Sequence, residues 1–235
     1  MTARPALSFY CAVALRGAVQ ETLLPAFTRA AGIAVDAHYA PSRALTEEIR
    51  AGARPDVVIG ITAALQQLAA AEVLDAASLA PVAKVGIGVA VAPGVPVPDL
   101  STVEDLVAAL TAARSVAYSR NGPSGVYLAA LLPELGIAGQ VNERATVIDA
   151  GLTALALLDG RADLAVQQLS ELKYVPEATI AGPFPAAVQR YTEFSAATAR
   201  PARNTAGAAA LLEFLTAAAA REAYTTAGLE TVRPG

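Results

Sequence analysis

Short β-branched runs alternate with longer alanine- and leucine-rich runs, a pattern that predicts an α/β fold with mainly parallel sheet and flanking helices. Two further observations agree. Of the 235 residues, 54% are hydrophobic and only 16% charged, so the chain can bury one large core or two smaller ones and is not a disordered polyelectrolyte. Glycines close several of the helical runs, at Gly32, Gly52 and Gly136, as helix ends require.

Residues 6–14 read as the first strand. Residues 17–31 read as a helix, with Val19, Leu23, Leu24, Phe27 and Ala30 on one face. Residues 33–39 give a second strand and 43–51 a short helix. Residues 56–61 and 62–71 form the next strand and helix. An uncharged strand over 85–92 runs into the break Pro93-Gly94-Val95-Pro96-Val97-Pro98. Helices over 102–113, 125–135 and 151–159 then alternate with strands over 115–118, 145–148 and 163–167. Residues 207–228 form an alanine-rich helical stretch.

The formal charge of −4 provides no basic face for nucleic acid. One cysteine, Cys11, excludes an internal disulfide and reads as a buried thiol. One Cys and the single His38 do not make a metal site, and no cofactor is expected. Arg4 followed by an apolar run imitates a short leader, but Arg16 and Gly17 follow at once and cleavage would remove the first strand. A cytoplasmic protein is expected from the sequence as written, a periplasmic one if a leader has been removed. No run reaches the roughly 18 apolar residues that a membrane span needs.

The segments AVALRGAV, HYAPSRALTEEIRAG, PDVVIGI, SVAYSRNGPSGVYLAALLPELGI and ADLAVQQLSEL, in this order, resemble periplasmic molybdate-binding-type proteins. These belong to the type II solute-binding proteins and include relatives resembling aconitate isomerase. The resemblance spans about residues 8–232. It implies a two-lobed, periplasmic-binding-protein-like fold, with residues 1–84 and 191–235 in the first lobe and 85–190 in the second. The chain would cross near residues 82–88 and 190–195. The ligand would lie between the lobes, against loops at the carboxyl ends of strands. The sequence departs from the molybdate pattern, which has a serine in the first loop and a GSSG-like second loop. Here these loops are Ala14-Leu15-Arg16-Gly17 and Ala40-Pro41-Ser42-Arg43.

Three strand-to-helix loops are expected to offer free N–H groups to an anion. Arg16 stands at the first. Ser42, read as an N-cap, and Arg43 stand at the second. The third is Asn121-Gly122-Pro123-Ser124-Gly125, with Ser124 read as an N-cap and Arg120 upstream. It lacks the Lys-Ser/Thr pair of a nucleotide-binding loop. Tyr118 and Ser119 add hydroxyls, Asp149 reads as another N-cap, and Gln168 is the amide expected to reach the ligand. Cations in a first helical turn oppose the macrodipole, so Arg16 and Arg43 call for solvent or a bound anion. Guanidinium forks match carboxylates, which favours a di- or tricarboxylate over molybdate or another oxyanion.

Three functions remain open at this point. One is a binding protein for a small anion, serving an ABC transporter if exported. A second is an isomerase of an unsaturated carboxylate such as cis- or trans-aconitate, with His38, Tyr118 or Glu47 as the base. The third is a ligand-sensing module.

Overall fold

Alternating apolar side chains make the first strand: Leu7, Phe9 and Cys11 are fully buried. In the computed structural model, which describes residues 6–202 and 204–232, β1 (Leu7–Ala12) is followed by α1 (Arg16–Ala18), α2 (Leu24–Ala31), β2 (Val35–Ala40), α3 (Ser42–Arg50), β3 (Val57–Ile61), α4 (Thr62–Ala70) and β4 (Ala80–Val91). Next come α5 (Val103–Ala112), β5 (Val116–Ser119), α6 (Pro123–Glu134), α7 (Ala138–Asn142), β6 (Thr146–Ile148), α8 (Leu155–Leu158), β7 (Leu164–Gln168) and α9 (Leu169–Leu172). The chain ends with β8 (Thr179–Pro183), β9 (Tyr191–Thr198), α10 (Thr205–Thr216), α11 (Arg221–Thr226) and β10 (Glu230–Thr231). Arg4, at the start of the leader-like stretch, lies outside the described residues. The chain divides into two compact units, Met1–Lys84 with Glu193–Gly235, and Val85–Thr192.

In the first unit β2, β1 and β3 run parallel, and β9 is antiparallel on β3. Parallel neighbours need crossovers, which α2 and α3 supply. The Phe27 and Phe214 rings meet edge to face at 5.6 Å. Ile49, Val58, Leu65, Leu68, Leu74 and Ala197 form a second cluster. Buried Asp56 accepts the Ser8 N–H at 2.9 Å and the Asn204 N–H at 3.4 Å, tying the first strand to the entrance of α10.

In the second unit β5 is parallel to both β6 and β7, β7 is antiparallel to β4, and β8 is antiparallel to β4. Side chains alternate across this sheet. Val89, Val116 and Val166 pack with Leu106, Leu110, Leu128 and Leu132. Ala90, Ala117 and Ala165 pack with Leu157, Leu172 and Val175. Burial on both faces explains the nearly unbroken apolar runs of these strands. α5 begins with a capping box: Thr102 Oγ1 accepts the Asp105 N–H at 3.1 Å and Asp105 Oδ2 accepts the Thr102 N–H at 3.0 Å.

Several elements differ from the sequence reading. The helix expected over 17–31 is a composite: a 3-10 turn at Val13–Leu15, α1, a π turn at Val19–Leu23, then α2. Pro25 accounts for the widening. It has no N–H for the Glu21 carbonyl and its ring crowds that group, and the Leu24 N–H bonds instead to the Val19 carbonyl, one residue further back. Ala30, expected on the buried face, is exposed. The helix expected over 151–159 shrinks to α8, because Gly151 adopts φ +102° and the Thr153 N–H is taken by the Gln167 side chain at 2.8 Å. The strand expected at 85 begins at Ala80, since β10 pairs with Ala83 and Lys84. The C-terminal helical stretch breaks at Ala217, whose backbone is extended.

Candidate functional site

Because β1, β2 and β3 are parallel, their carboxyl ends share one edge of the first unit, and each leads into a helical turn there. Arg16 opens α1 after β1 and is exposed. At the end of β2, Pro41 takes the N-cap position without a side-chain cap, and Ser42 is the first helical residue. The expected Ser42 cap is therefore corrected: the extended backbone of Pro41 (φ −54°, ψ 139°) ends one residue earlier than predicted. The Ser42 carbonyl accepts from Thr46 Oγ1 at 2.8 Å.

Arg43 lies with Nε 2.8 Å from Glu47 Oε1, and this hydrogen-bonded carboxylate raises the guanidinium pKa above its ordinary value. Its side chain is 77% exposed, so solvent and Glu47 offset the macrodipole without a bound anion. Ser42, Arg43, Thr46, Glu47, Arg50 and Gln67 line a groove of about 420 Å³ between α3 and α4. Arg50 donates across it to Gln67 Oε1 at 2.9 Å. Sequence reading missed Arg50, although a spacing of seven residues from Arg43 puts both on one helix face. At the end of β3, the Thr62 and buried Ser195 hydroxyls are 2.9 Å apart. His38 is not in the groove lining. Its Nε2 lies 3.1 Å from Glu48 Oε2 and its ring meets the edge of Tyr10 at 4.8 Å.

In the second unit β5, β6 and β7 likewise end at one edge. Ser119 is buried at the end of β5, and its Oγ accepts the Gly122 N–H at 2.9 Å. Gly122 is the N-cap of α6 and Pro123 its first residue, so Ser124 is not the cap but a buried residue of the first turn. A Cβ on Gly125 would sit 1.7 Å from the Ser119 carbonyl oxygen, so the turn closes only on glycine there. Arg120 Nε binds Asp149 Oδ1 at 2.7 Å, both side chains exposed. Asp149 thus joins the ends of β5 and β6 instead of capping a helix. Tyr118 belongs to the apolar core, and its hydroxyl donates to Asn142 Oδ1 at 2.8 Å. Burial raises its pKa above the ordinary value, away from that of a base working near neutrality.

At the end of β7 the buried Gln168 donates to Thr192 Oγ1 at 2.9 Å. Its neighbour Gln167 is buried too, and its Oε1 accepts the Thr153 N–H at 2.8 Å and the Thr153 hydroxyl at 2.9 Å. Glu171 follows in α9. Burial, partly offset by the Gln167 amide, pushes its carboxyl up to about 7. The Ser170 hydroxyl between them in sequence is buried and has no hydrogen-bond partner among the described residues. Sequence reading passed over Glu171. The available signal was an acidic residue in the first turn after the last parallel strand.

The structure thus brings Ser42 and Arg43 to one groove, with Arg16 at the same sheet edge. Separately, it brings Ser119, Arg120, Ser124 and Gly125 into one turn, with Gln168 at the edge of the same sheet. His38 and Tyr118 stand apart from both. Among the described residues there is no cluster of His, Cys, Asp or Glu able to hold a metal ion, and no helix is long and apolar enough to cross a membrane.

Each of the two α/β units presents hydroxyl and guanidinium groups at the carboxyl ends of its parallel strands, the edge at which α/β folds hold small ligands. Residues 7–230 match the family model of bacterial extracellular solute-binding proteins, and the chain belongs to that family. It is 33% identical over 224 residues to an aconitate isomerase of a Pseudomonas species, covering 93% of this chain and 85% of that one. Among solved structures, the periplasmic molybdate-binding protein of Azotobacter vinelandii aligns with a TM-score of 0.76 at 19% identity, covering 97% of this chain and all of that one. The substrate-binding domain of a Clostridium difficile putative molybdenum ABC transporter aligns with a TM-score of 0.75 at 16% identity, covering 97% and 99%. At such identities the two structures speak to the fold.

Proposed function

We propose that the chain binds a small di- or tricarboxylate and isomerises an unsaturated one of the aconitate type. The identity of 33% to an aconitate isomerase, along 93% of the chain, carries this reading. The guanidinium groups of Arg43 and Arg50 at one groove support it, since planar forks suit carboxylates. The reaction moves one proton: it leaves a methylene carbon that carries one carboxylate and adjoins the double bond, and the electron pair spreads over the three-carbon unit. A proton then returns at the far carbon, and the double bond has shifted. Such chemistry needs a base with a pKa near 7 and cations that stabilise the developing enolate-like charge.

Proton NMR of cis- and trans-aconitate incubated with the protein tests the proposal. Interconversion is expected, and its absence at stoichiometric protein overturns it. A second reading, favoured by the solute-binding family itself, is a periplasmic receptor that hands an organic anion to an ABC transporter. A melting-temperature panel of citrate, both aconitates, molybdate, sulfate and phosphate separates the ligand classes. A ligand at 100 times its Kd stabilises by about 2.7 kcal/mol. A response to citrate or aconitate without turnover favours the receptor, and a response to molybdate alone removes the carboxylate reading.

A further inference from the structure

We propose that the groove between α3 and α4 selects ligands with two or more carboxylates: Arg50 receives the first, and Glu47 is a built-in carboxylate that a second must displace from Arg43. The inference rests on the carboxylate-binding part of the reading above and not on turnover. The groove, of about 420 Å³, is lined by α3, the end of β3 and α4, so it lies within the unit that contains Met1–Lys84.

The charged side chains of the lining share one helix. Arg43, Glu47 and Arg50 follow one another at spacings of four and three, which puts them on one face of α3. Their partners differ. Arg43 Nε donates to Glu47 Oε1 at 2.8 Å, guanidinium against carboxylate. Arg50 donates to Gln67 Oε1 at 2.9 Å, a neutral amide oxygen. Among the described residues no carboxylate lies within ion-pair distance of Arg50. The lining thus holds two guanidinium groups and one carboxylate, and the cation left over is Arg50. Gln67 keeps that guanidinium at the groove through its oxygen, and its NH2 remains a donor for the same ligand.

Glu47 already makes the contact that a ligand carboxylate would make with Arg43. The pair is open to water, with the two side chains 77% and 58% exposed, and an exposed pair one helical turn apart is weak enough to give way. A ligand with one carboxylate seats on Arg50 and leaves Glu47 in place. A ligand with a second carboxylate replaces Glu47 on Arg43, and a bidentate fork then forms at each end. Seven residues of helix separate the two arginines by about 10 Å along the axis, a span that their long side chains shorten to the reach of a small tricarboxylate. In the unliganded groove Glu47 repels anions and keeps Arg43 occupied, so it works as a filter as well as a partner.

Calorimetric titration of the full chain with trans-aconitate and with citrate tests the assignment, with a circular-dichroism melt confirming that each variant is folded. Arg50→Gln is expected to weaken binding by about tenfold, the loss of a charge-assisted contact. Glu47→Gln is expected to tighten binding by about threefold, since no exposed ion pair has to open. That gain depends on Arg43 and should vanish in an Arg43→Gln background, as coupled neighbours require. Gln67→Glu gives Arg50 a carboxylate of its own and should weaken binding by about threefold, the mirror image of Glu47→Gln. Wild type that binds while Arg50→Gln binds equally well overturns the role of Arg50. A Glu47→Gln gain that persists without Arg43 is a general charge effect and overturns displacement. Should Arg50→Gln fail to fold, Gln67→Glu decides: unchanged affinity overturns the assignment. Wild type that binds neither trans-aconitate nor citrate is a separate failure, that of the carboxylate reading, and the groove assignment falls with it.

Discussion

Gly125 shows how much one side chain decides. An alanine there drives its Cβ to 1.7 Å from the Ser119 carbonyl oxygen, a backbone atom that cannot swing aside as a flexible side chain would. Gly125→Ala should lose about 3 kcal/mol or more, read from urea unfolding, because neither the strand end nor the helix can yield. Arg43→Ala should do the reverse. Its ion pair with Glu47 is exposed, so the melting temperature of the free protein stays unchanged. Carboxylate affinity measured by calorimetry should fall by about tenfold, the effect of losing a charge-assisted contact. Glu171 carries a pH signature of its own. Its carboxyl rises from about 4.3 in the unfolded chain to about 7 in the folded one. The folded state thus holds the proton more tightly, and this stabilisation is complete below about pH 4 and lost as pH rises through 7. Glu171→Gln should therefore melt higher than wild type at pH 8, by an amount of order 3 kcal/mol, and equally at pH 4. Equal melting temperatures at both pH values would remove the raised titration.

The elements that sequence periodicity disclosed are those buried on both faces. Val57-Val58-Ile59, the run ending at Val91 and Leu164-Ala165-Val166 lie in covered sheet and read as apolar runs. The antiparallel pieces were not legible. Tyr191-Thr192-Glu193-Phe194-Ser195 mixes exposed, polar and buried positions, so β9 leaves little periodicity until it pairs with β3. Pro25 was legible as a residue but not as the cause of a π turn, because its effect falls on hydrogen bonds upstream of itself. The caps read at Ser42, Ser124 and Asp149 failed for a common reason: each side chain or its neighbour was committed to the fold around it, by Pro41, Gly122 with Pro123, and Arg120 respectively. Thr102 is a cap that formed. Thr102→Ala breaks the capping box of α5 and should cost about 1 kcal/mol in chemical unfolding. Of the candidate site, the strand-end loops were visible in the order of elements. Arg50 and Glu171 were not, because their significance depends on a groove and on burial, which exist only once the chain has folded.

At the scale of the molecule, the two units differ in how the chain builds them. Val85–Thr192 is continuous, whereas the other unit joins Met1–Lys84 to Glu193–Gly235. A fragment of residues 85–192 should therefore unfold cooperatively by itself, seen as a single sigmoidal circular-dichroism melt. A fragment of residues 1–84 lacks β9 and Asn204, the partners of β3 and Asp56, and should show no such melt.

The pairing of β3 with β9 also sets a timetable for the nascent chain. Thr62 and Ser195, whose hydroxyls meet beside that pairing, are 133 residues apart. At roughly 5–20 residues per second, a ribosome needs about 7–27 s to deliver the second after the first. For that interval the outer edge of β3 has no neighbour to zip onto, while the later-made half of the molecule is free to finish first. The window invites holdase chaperones and mispairing with other nascent strands, so slower translation between these positions should increase aggregation during expression.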